Sequence, residues 1–182
     1  LTVMLMAVSI TRERERGTLD QLMVSPIRRS ELILGKLLPY LGISLLNVVT
    51  ILFVADRWFN VPVRERLPLL LAFCILFVLT SLATGLLISA VSRTQFQAIQ
   101  IAVFYILPVF MLSGAYAPIE AIPETIRPIS YFFPLMYFCR AVRAVTLRGA
   151  SFLLVWKDLA ILSGFVLVLL YWAVFSFKKR VA

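Results

Sequence analysis

The chain has 182 residues, of which 62% are hydrophobic and 15% charged, where a soluble domain has roughly 45–50% and 25%. That balance, with a mean hydropathy of +0.97, excludes a disordered chain and argues against a soluble globular enzyme, whose surface needs many more polar groups; the class it leaves is an integral membrane protein. There is no histidine, so no histidine base, triad or histidine metal site exists, and the net charge of +9 lies in short clusters between apolar runs, a pattern of membrane-protein loops rather than of a nucleic-acid surface.

Leu1 to Ile10 is an apolar decamer broken only by Thr2 and Ser9. A spanning helix needs about 20 apolar residues, and the flanks of a signal peptide are lacking. Residues 1–11 are therefore expected to be the end of a span that begins before the sequence does. Residues 12–36 form the polar connection that follows. Within it Thr18 and Gln21 have capping-box spacing, Asp20 falls in the first turn, where the helix dipole favours an anion, and Gly17 permits a sharp turn before the cap. Leu19, Leu22 and Met23 share one face at i, i+3, i+4, and Pro26 ends the run. The pattern predicts a short amphipathic helix between two spans. It could rest on lipid headgroups, as amphipathic juxtamembrane helices commonly do, or dock into a groove on a soluble partner.

Four long apolar runs follow, at residues 37–55, 67–91, 98–116 and 159–177. They are continuous and about twice the length of the alternating strands of a membrane barrel, so they predict helices. Pro39 falls in the opening turn of the first run, and Asn47 is its only amide, placed where a side chain faces protein or a cavity. Ser81, Gly85 and Ser89 make a small-residue stripe that lets another helix approach within the same chain. Thr94 and Gln97 form a second capping box at the start of the third run, which Pro108 is expected to kink. Residues 117–157 carry Pro118, Pro123, Pro128 and Pro134, with apolar pieces at Ile129–Phe133 and Leu135–Cys139 too short to span; they predict an outer re-entrant helical hairpin. Arg140 and Arg143, three apart, share a face. They either snorkel to headgroups or contact an anionic headgroup or phosphate. The fold expected is all-α and polytopic, a half-span plus four transmembrane helices. Ten of the 18 basic residues fall on the side holding 12–36, 92–97 and the tail, with the densest clusters at Arg12–Arg16 and Lys178–Arg180, which makes that side, and the C-terminus, cytoplasmic.

Three segments carry a family resemblance. Glu13-Arg-Glu-Arg-Gly-Thr-Leu-Asp-Gln-Leu-Met-Val-Ser-Pro-Ile27 resembles the Glu-Arg-Glu-x-Gly-Thr-x-(Glu/Asp)-x-Leu signature of type-2 ABC exporter permeases. Leu112-Ser-Gly-Ala-Tyr-Ala-Pro-Ile-Glu-Ala-Ile-Pro123 is similar to the family's Leu-Ser-Gly…Pro-Ile-Glu-x-x-Pro stretch. Phe133-Pro-Leu-Met-Tyr-Phe-Cys-Arg-Ala-Val-Arg143 is similar to its Pro-Leu-x-Tyr…Arg segment before the last span. The resemblance implies that Gly17–Pro26 is a coupling helix against a separate cytosolic ATPase, with Glu13, Glu15, Arg16, Gly17, Thr18, Asp20, Gln21, Leu22 and Met23 at or near that contact. Asn47, Pro108, Ser113, Gly114, Pro134, Tyr137, Arg140 and Arg143 are the candidate residues for a pathway or for the outer hairpin. The resemblance further implies a bacterial-type inner membrane location and pairing with a second copy or a similar permease. Asp20 stands where many relatives carry Glu and keeps the charge.

The chain holds no P-loop: Gly35-Lys36-Leu37 lacks the earlier Gly and the hydroxyl. ATP and Mg would be held by the partner ATPase, and this chain would bind no cofactor or metal and carry no catalytic residue. The function expected is ATP-driven export of a lipidic or amphipathic, drug-like substrate. Two other classes are open. An ion-coupled carrier needs carboxylates inside the spans, and the four runs hold none. A membrane-embedded enzyme would have only Glu120, Glu124 and Asp158 outside, and these are scattered.

Overall fold

The computed structural model describes residues 1–17, 29–59, 66–116 and 119–179, and all its regular structure among these is helical. The helices are α1 (Thr2–Glu15), α2 (Arg29–Trp58), α3 (Leu67–Val91), α4 (Gln95–Leu112), α5 (Arg127–Ser130), α6 (Pro134–Arg148) and α7 (Phe152–Lys179), with a 3₁₀ turn at Ile119–Ala121. Four are long and apolar enough to cross a membrane: Leu34–Trp58, Leu67–Val91, Gln95–Leu112 and Phe152–Ala173. The protein is thus an all-α polytopic membrane protein. The predicted helix opened by the Thr18–Gln21 capping box, with Asp20, Leu22 and Met23, lies outside the described residues.

Several boundaries differ from the sequence reading, each for a local reason. The first long helix begins at Arg29, so Pro39 is interior to α2 rather than in its opening turn. The third run begins at Gln95 because Thr94 caps it: the Gln97 N–H donates to Thr94 Oγ1 at 3.2 Å, while Gln97 Oε1 accepts from the Arg93 N–H at 2.8 Å. It ends at Leu112, four residues short of Tyr116. There Ser113 Oγ donates to the Phe110 carbonyl and accepts the Ala115 N–H, and Gly114 turns with φ +80°. The last run starts at Phe152 rather than Leu159. That helix, α7, therefore contains Asp158, and the expectation that the spans hold no carboxylate is corrected. Asp158 is tolerated there because it is paired with Arg140, as a buried carboxylate must be.

The chain divides into two compact units. One gathers Leu1–Ser44, Val78–Tyr105 and Leu167–Ala182, and the other Leu45–Phe77 and Ile106–Val166. In the first, the buried stripe of α1, Met6, Ala7, Ile10 and Thr11, lies against α3. A Cβ placed on Gly85 would sit 2.6 Å from the Val3 carbonyl oxygen and 2.8 Å from Met6 Cβ, so the absence of a side chain sets this approach. Ser81 and Ser89, one turn to either side, are also buried. The stripe read from the sequence is an intrachain packing seam. Thr2 and Ser44 share a hydroxyl hydrogen bond of 3.0 Å between α1 and α2.

The core of the second unit is built on α6. Pro134 occupies its first turn, where a missing N–H costs nothing, and the chain leaves the helix at Gly149. Met136, Tyr137, Ala141 and Val145 form its buried face, packed with Leu70 and Phe73 of α3 and Val155 and Leu162 of α7. Phe77 and Phe138 stack at 4.5 Å between ring centres. The proline-marked segment is thus one amphipathic helix, α6, preceded by the short α5 and turns, with its apolar side covered by protein.

Candidate functional site

The charged end of α1 clasps two helix termini in its own unit. Arg14 donates from Nη1 to the carbonyls of Ser89, in the last turn of α3, at 3.2 Å and of Ser92, just past its end, at 2.7 Å, where helix carbonyls lack an intrahelical donor. Glu15 accepts from the backbone N–H of Gln95 at 2.8 Å and from the Gln95 side chain, at the first turn of α4. A cation sits at a C-terminus and an anion at the next N-terminus, so both side chains match the helix dipoles they meet. Glu15 is exposed, and the two bonds from Gln95 hold its carboxyl below the usual carboxylate range. Glu13, one turn back, pairs with Lys36 of α2. Gly17 then reverses the chain with φ +68° and its N–H on the Arg14 carbonyl at 3.1 Å, the sharp turn its sequence position predicts.

Of the residues grouped from the Glu-Arg-Glu signature, Glu13 and Glu15 therefore contact their own chain, Arg16 is exposed, and Gly17 makes the turn. Thr18, Asp20, Gln21, Leu22 and Met23 lie outside the described residues. Arg14 was passed over by sequence reasoning, which had no means of seeing Ser89 and Ser92, 75 and 78 residues away. Beside the clasp is a cavity of about 640 Å³, walled by Met4, Leu5, Val8 and Ile99 and bordered by Arg12, Glu13 and Arg16. An apolar wall with charged groups at one end suits an amphipathic molecule.

In the second unit the second and third motifs meet. Arg143 Nη2 donates to the Gly114 carbonyl at 2.5 Å and reaches the Ala115 carbonyl at 3.5 Å. Arg140 Nε donates to Asp158 Oδ2 at 3.1 Å, and its Nη2 contacts the other carboxylate oxygen. The guanidinium also lies 5.3 Å from the centre of the Tyr137 ring, and the Asp158 bond raises its affinity for the proton further. Tyr137 is buried, its hydroxyl donates to the Tyr131 carbonyl at 3.0 Å, and burial pushes the phenol up. Ser113, Gly114, Arg140 and Arg143 line one cavity of about 360 Å³. Both arginines are thus committed to protein acceptors, and neither simply extends to headgroups. Asn47 and Pro108 do not join this group. Both are exposed, on α2 and α4.

Residues 1–147 match the family model described as ABC-2 type transporter. The chain belongs to the ABC-2 type transporter family. Among curated relatives, the probable multidrug ABC transporter permease YbhS of Escherichia coli K12 is 38% identical over 146 residues, covering 80% of this chain and 39% of the relative. The probable multidrug ABC transporter permease YbhR of the same strain is 31% identical over 153 residues, 84% of this chain and 42% of the relative. ABC transporter G family member 20 of Dictyostelium discoideum is 26% identical over 176 residues, 96% of this chain and 24% of the relative. The chain thus spans about two fifths of the length of the first two relatives. No solved structure matches it significantly.

Proposed function

We propose that the chain is the membrane-spanning subunit of an ATP-driven exporter, working in the inner membrane with its C-terminus in the cytoplasm, and moving lipidic or amphipathic, drug-like molecules outward. Family membership carries this reading, and two relatives named as probable multidrug permeases support the substrate class. ATP and Mg are held by a separate cytosolic ATPase. A second permease copy or a similar permease completes the assembly, surrounded by membrane lipids. The coupling helix lies between Gly17 and Pro26 and meets the ATPase.

The clasp supports a route for the stroke. A push on the segment after Gly17 reaches α1 at its last turn, and Arg14 and Glu15 connect that turn to the ends of α3 and α4 through hydrogen bonds of 2.7 to 3.2 Å. Glu13 carries the same push to Lys36 of α2. In this reading Leu22 and Met23 supply apolar contact with the ATPase, while Glu13 and Glu15 relay motion within the permease.

The test uses full-length permease co-expressed with candidate ATPases. Leu22→Pro should abolish co-elution of the ATPase by breaking the coupling helix. Glu15→Lys should retain the ATPase yet abolish ATP-dependent transport, because it places a cation at the start of α4. Full transport by both variants would overturn the coupling reading.

A further inference from the structure

The polar side of α6 carries more cation than its surroundings neutralise. Arg140, Arg143 and Arg148 are exposed residues of α6. All three line the 360 Å³ cavity, with Ser113, Gly114 and Leu147. An adjoining cavity of about 490 Å³ shares Arg140 and Arg148 and adds Lys157 and Asp158. Four cations thus line these two cavities against one carboxylate, Asp158, and Arg140 occupies both of its oxygens.

Two simpler readings leave part of this unexplained. Arg148 stands in the last turn of α6, where a cation complements the helix dipole, but Arg143 is in the body of the helix. Snorkelling would extend Arg143 away from the protein, whereas its guanidinium is turned back onto the Gly114 carbonyl. That carbonyl is a dipole with no net charge. It orients one edge of the guanidinium and leaves the charge uncompensated. Among the described residues, neither Arg143 nor Arg148 pairs with a carboxylate. The surface beside them is apolar: Leu147, Leu153 and Leu154 are each at least 74% exposed.

We propose that Arg143 and Arg148 hold a phosphate group in this cavity. The planar guanidinium fork fits two phosphate oxygens at once, and the fixed orientation of Arg143 prepares one such fork in advance. The exposed leucines give acyl chains a shelf next to the charge, so the phosphate of a lipid and a free phosphate ion differ in what else they touch. The site is separate from the coupling segment, and it stands or falls independently of the ATP-driven reading.

The experiment is ligand binding to purified full-length permease in detergent, read by native mass spectrometry and by titration. The probes are dioctanoyl phosphatidic acid, dioctanoylglycerol and inorganic phosphate. Dioctanoyl phosphatidic acid should bind and dioctanoylglycerol should not. Arg148→Gln, which removes no hydrogen bond or ion pair among the described residues, should weaken phosphatidic acid by about tenfold, the effect of one charge-assisted hydrogen bond. Arg143→Gln/Arg148→Gln should abolish binding, and Arg148→Lys should recover part of it. Displacement of phosphatidic acid by millimolar inorganic phosphate would assign the site to the phosphate alone, and failure to displace would assign it to a lipid-borne phosphate. Equal retention of dioctanoylglycerol, or unchanged affinity in Arg148→Gln, would overturn the proposal. If the double variant fails to fold, Arg148→Gln decides alone.

Discussion

Gly85 shows how much one missing methyl group can position. Helices in a membrane gain no hydrophobic energy by meeting each other, since lipid is as apolar as a leucine side chain, and close backbone approach is what makes their contact favourable. The Val3 carbonyl and the Met6 side chain occupy the space a Cβ would need, and neither can retreat cheaply, because Val3 offers backbone and Met6 is wholly buried. Gly85→Ala should therefore lower stability by roughly 1–3 kcal/mol, the usual range for overpacking. Ser81→Ala, on the same stripe and nearly isosteric, should change it far less. Thermal unfolding of the two purified variants in one detergent checks both; equal melting temperatures would mean that α1 can move aside.

At the scale of elements, the α1 terminus matters because it joins helix ends rather than helix faces. Glu15 meets the start of α4 through two bonds from Gln95, and these hold its carboxyl below the ordinary value of 4.5. A carboxylate depressed in the folded state contributes stability that is complete above its unfolded value and is lost as pH falls through the folded one. The clasp should thus be intact at neutral pH and should open only below about pH 4.5. Glu15→Gln keeps an acceptor for the Gln95 amide and removes the titration. Amide exchange at Gln95, compared as protection factors across pH 3 to 7, should fall on the acid side in the wild type and stay level in Glu15→Gln, on an estimate set by the carboxylate range. A fall of the same size in both would assign the acid response elsewhere. This element also marks the limit of what the sequence discloses. The Thr94 cap, the Gly17 turn and the apolar runs are local patterns, and each is legible. The partners of Arg14 and Glu15 are set by tertiary approach across 75 to 80 residues, which no periodicity reports, so the bonds these two side chains make within the chain are not legible in the sequence.

At the scale of the whole molecule, the same limit decides between an ATP-driven exporter and an ion-coupled carrier. Apolarity placed the start of the last helix at Leu159, because Lys157 and Asp158 interrupt the run; the structure continues α7 back to Phe152 since Arg140 of α6 neutralises Asp158. A carboxylate inside a span is what a carrier needs; Asp56 lies near the end of the first span and Asp158 in the last, and Asp158 is the buried one. Its side chain is 9% exposed, and its Arg140 partner is 45% exposed and stacked over Tyr137. Removing one partner of such a pair leaves a buried charge and is costly, whereas removing both together is far milder. Arg140→Gln should therefore be the most damaging change, by about 3 kcal/mol at full burial and less here because Arg140 is half in solvent, and Arg140→Gln/Asp158→Asn should recover much of the loss. The functional prediction follows from that cycle. In proteoliposomes containing the full-length permease and its ATPase, the double variant should keep ATP-dependent transport, and the wild type should take up no substrate under an imposed proton gradient without ATP. Gradient-driven uptake that disappears in the double variant would make Asp158 the coupling group and the protein a carrier.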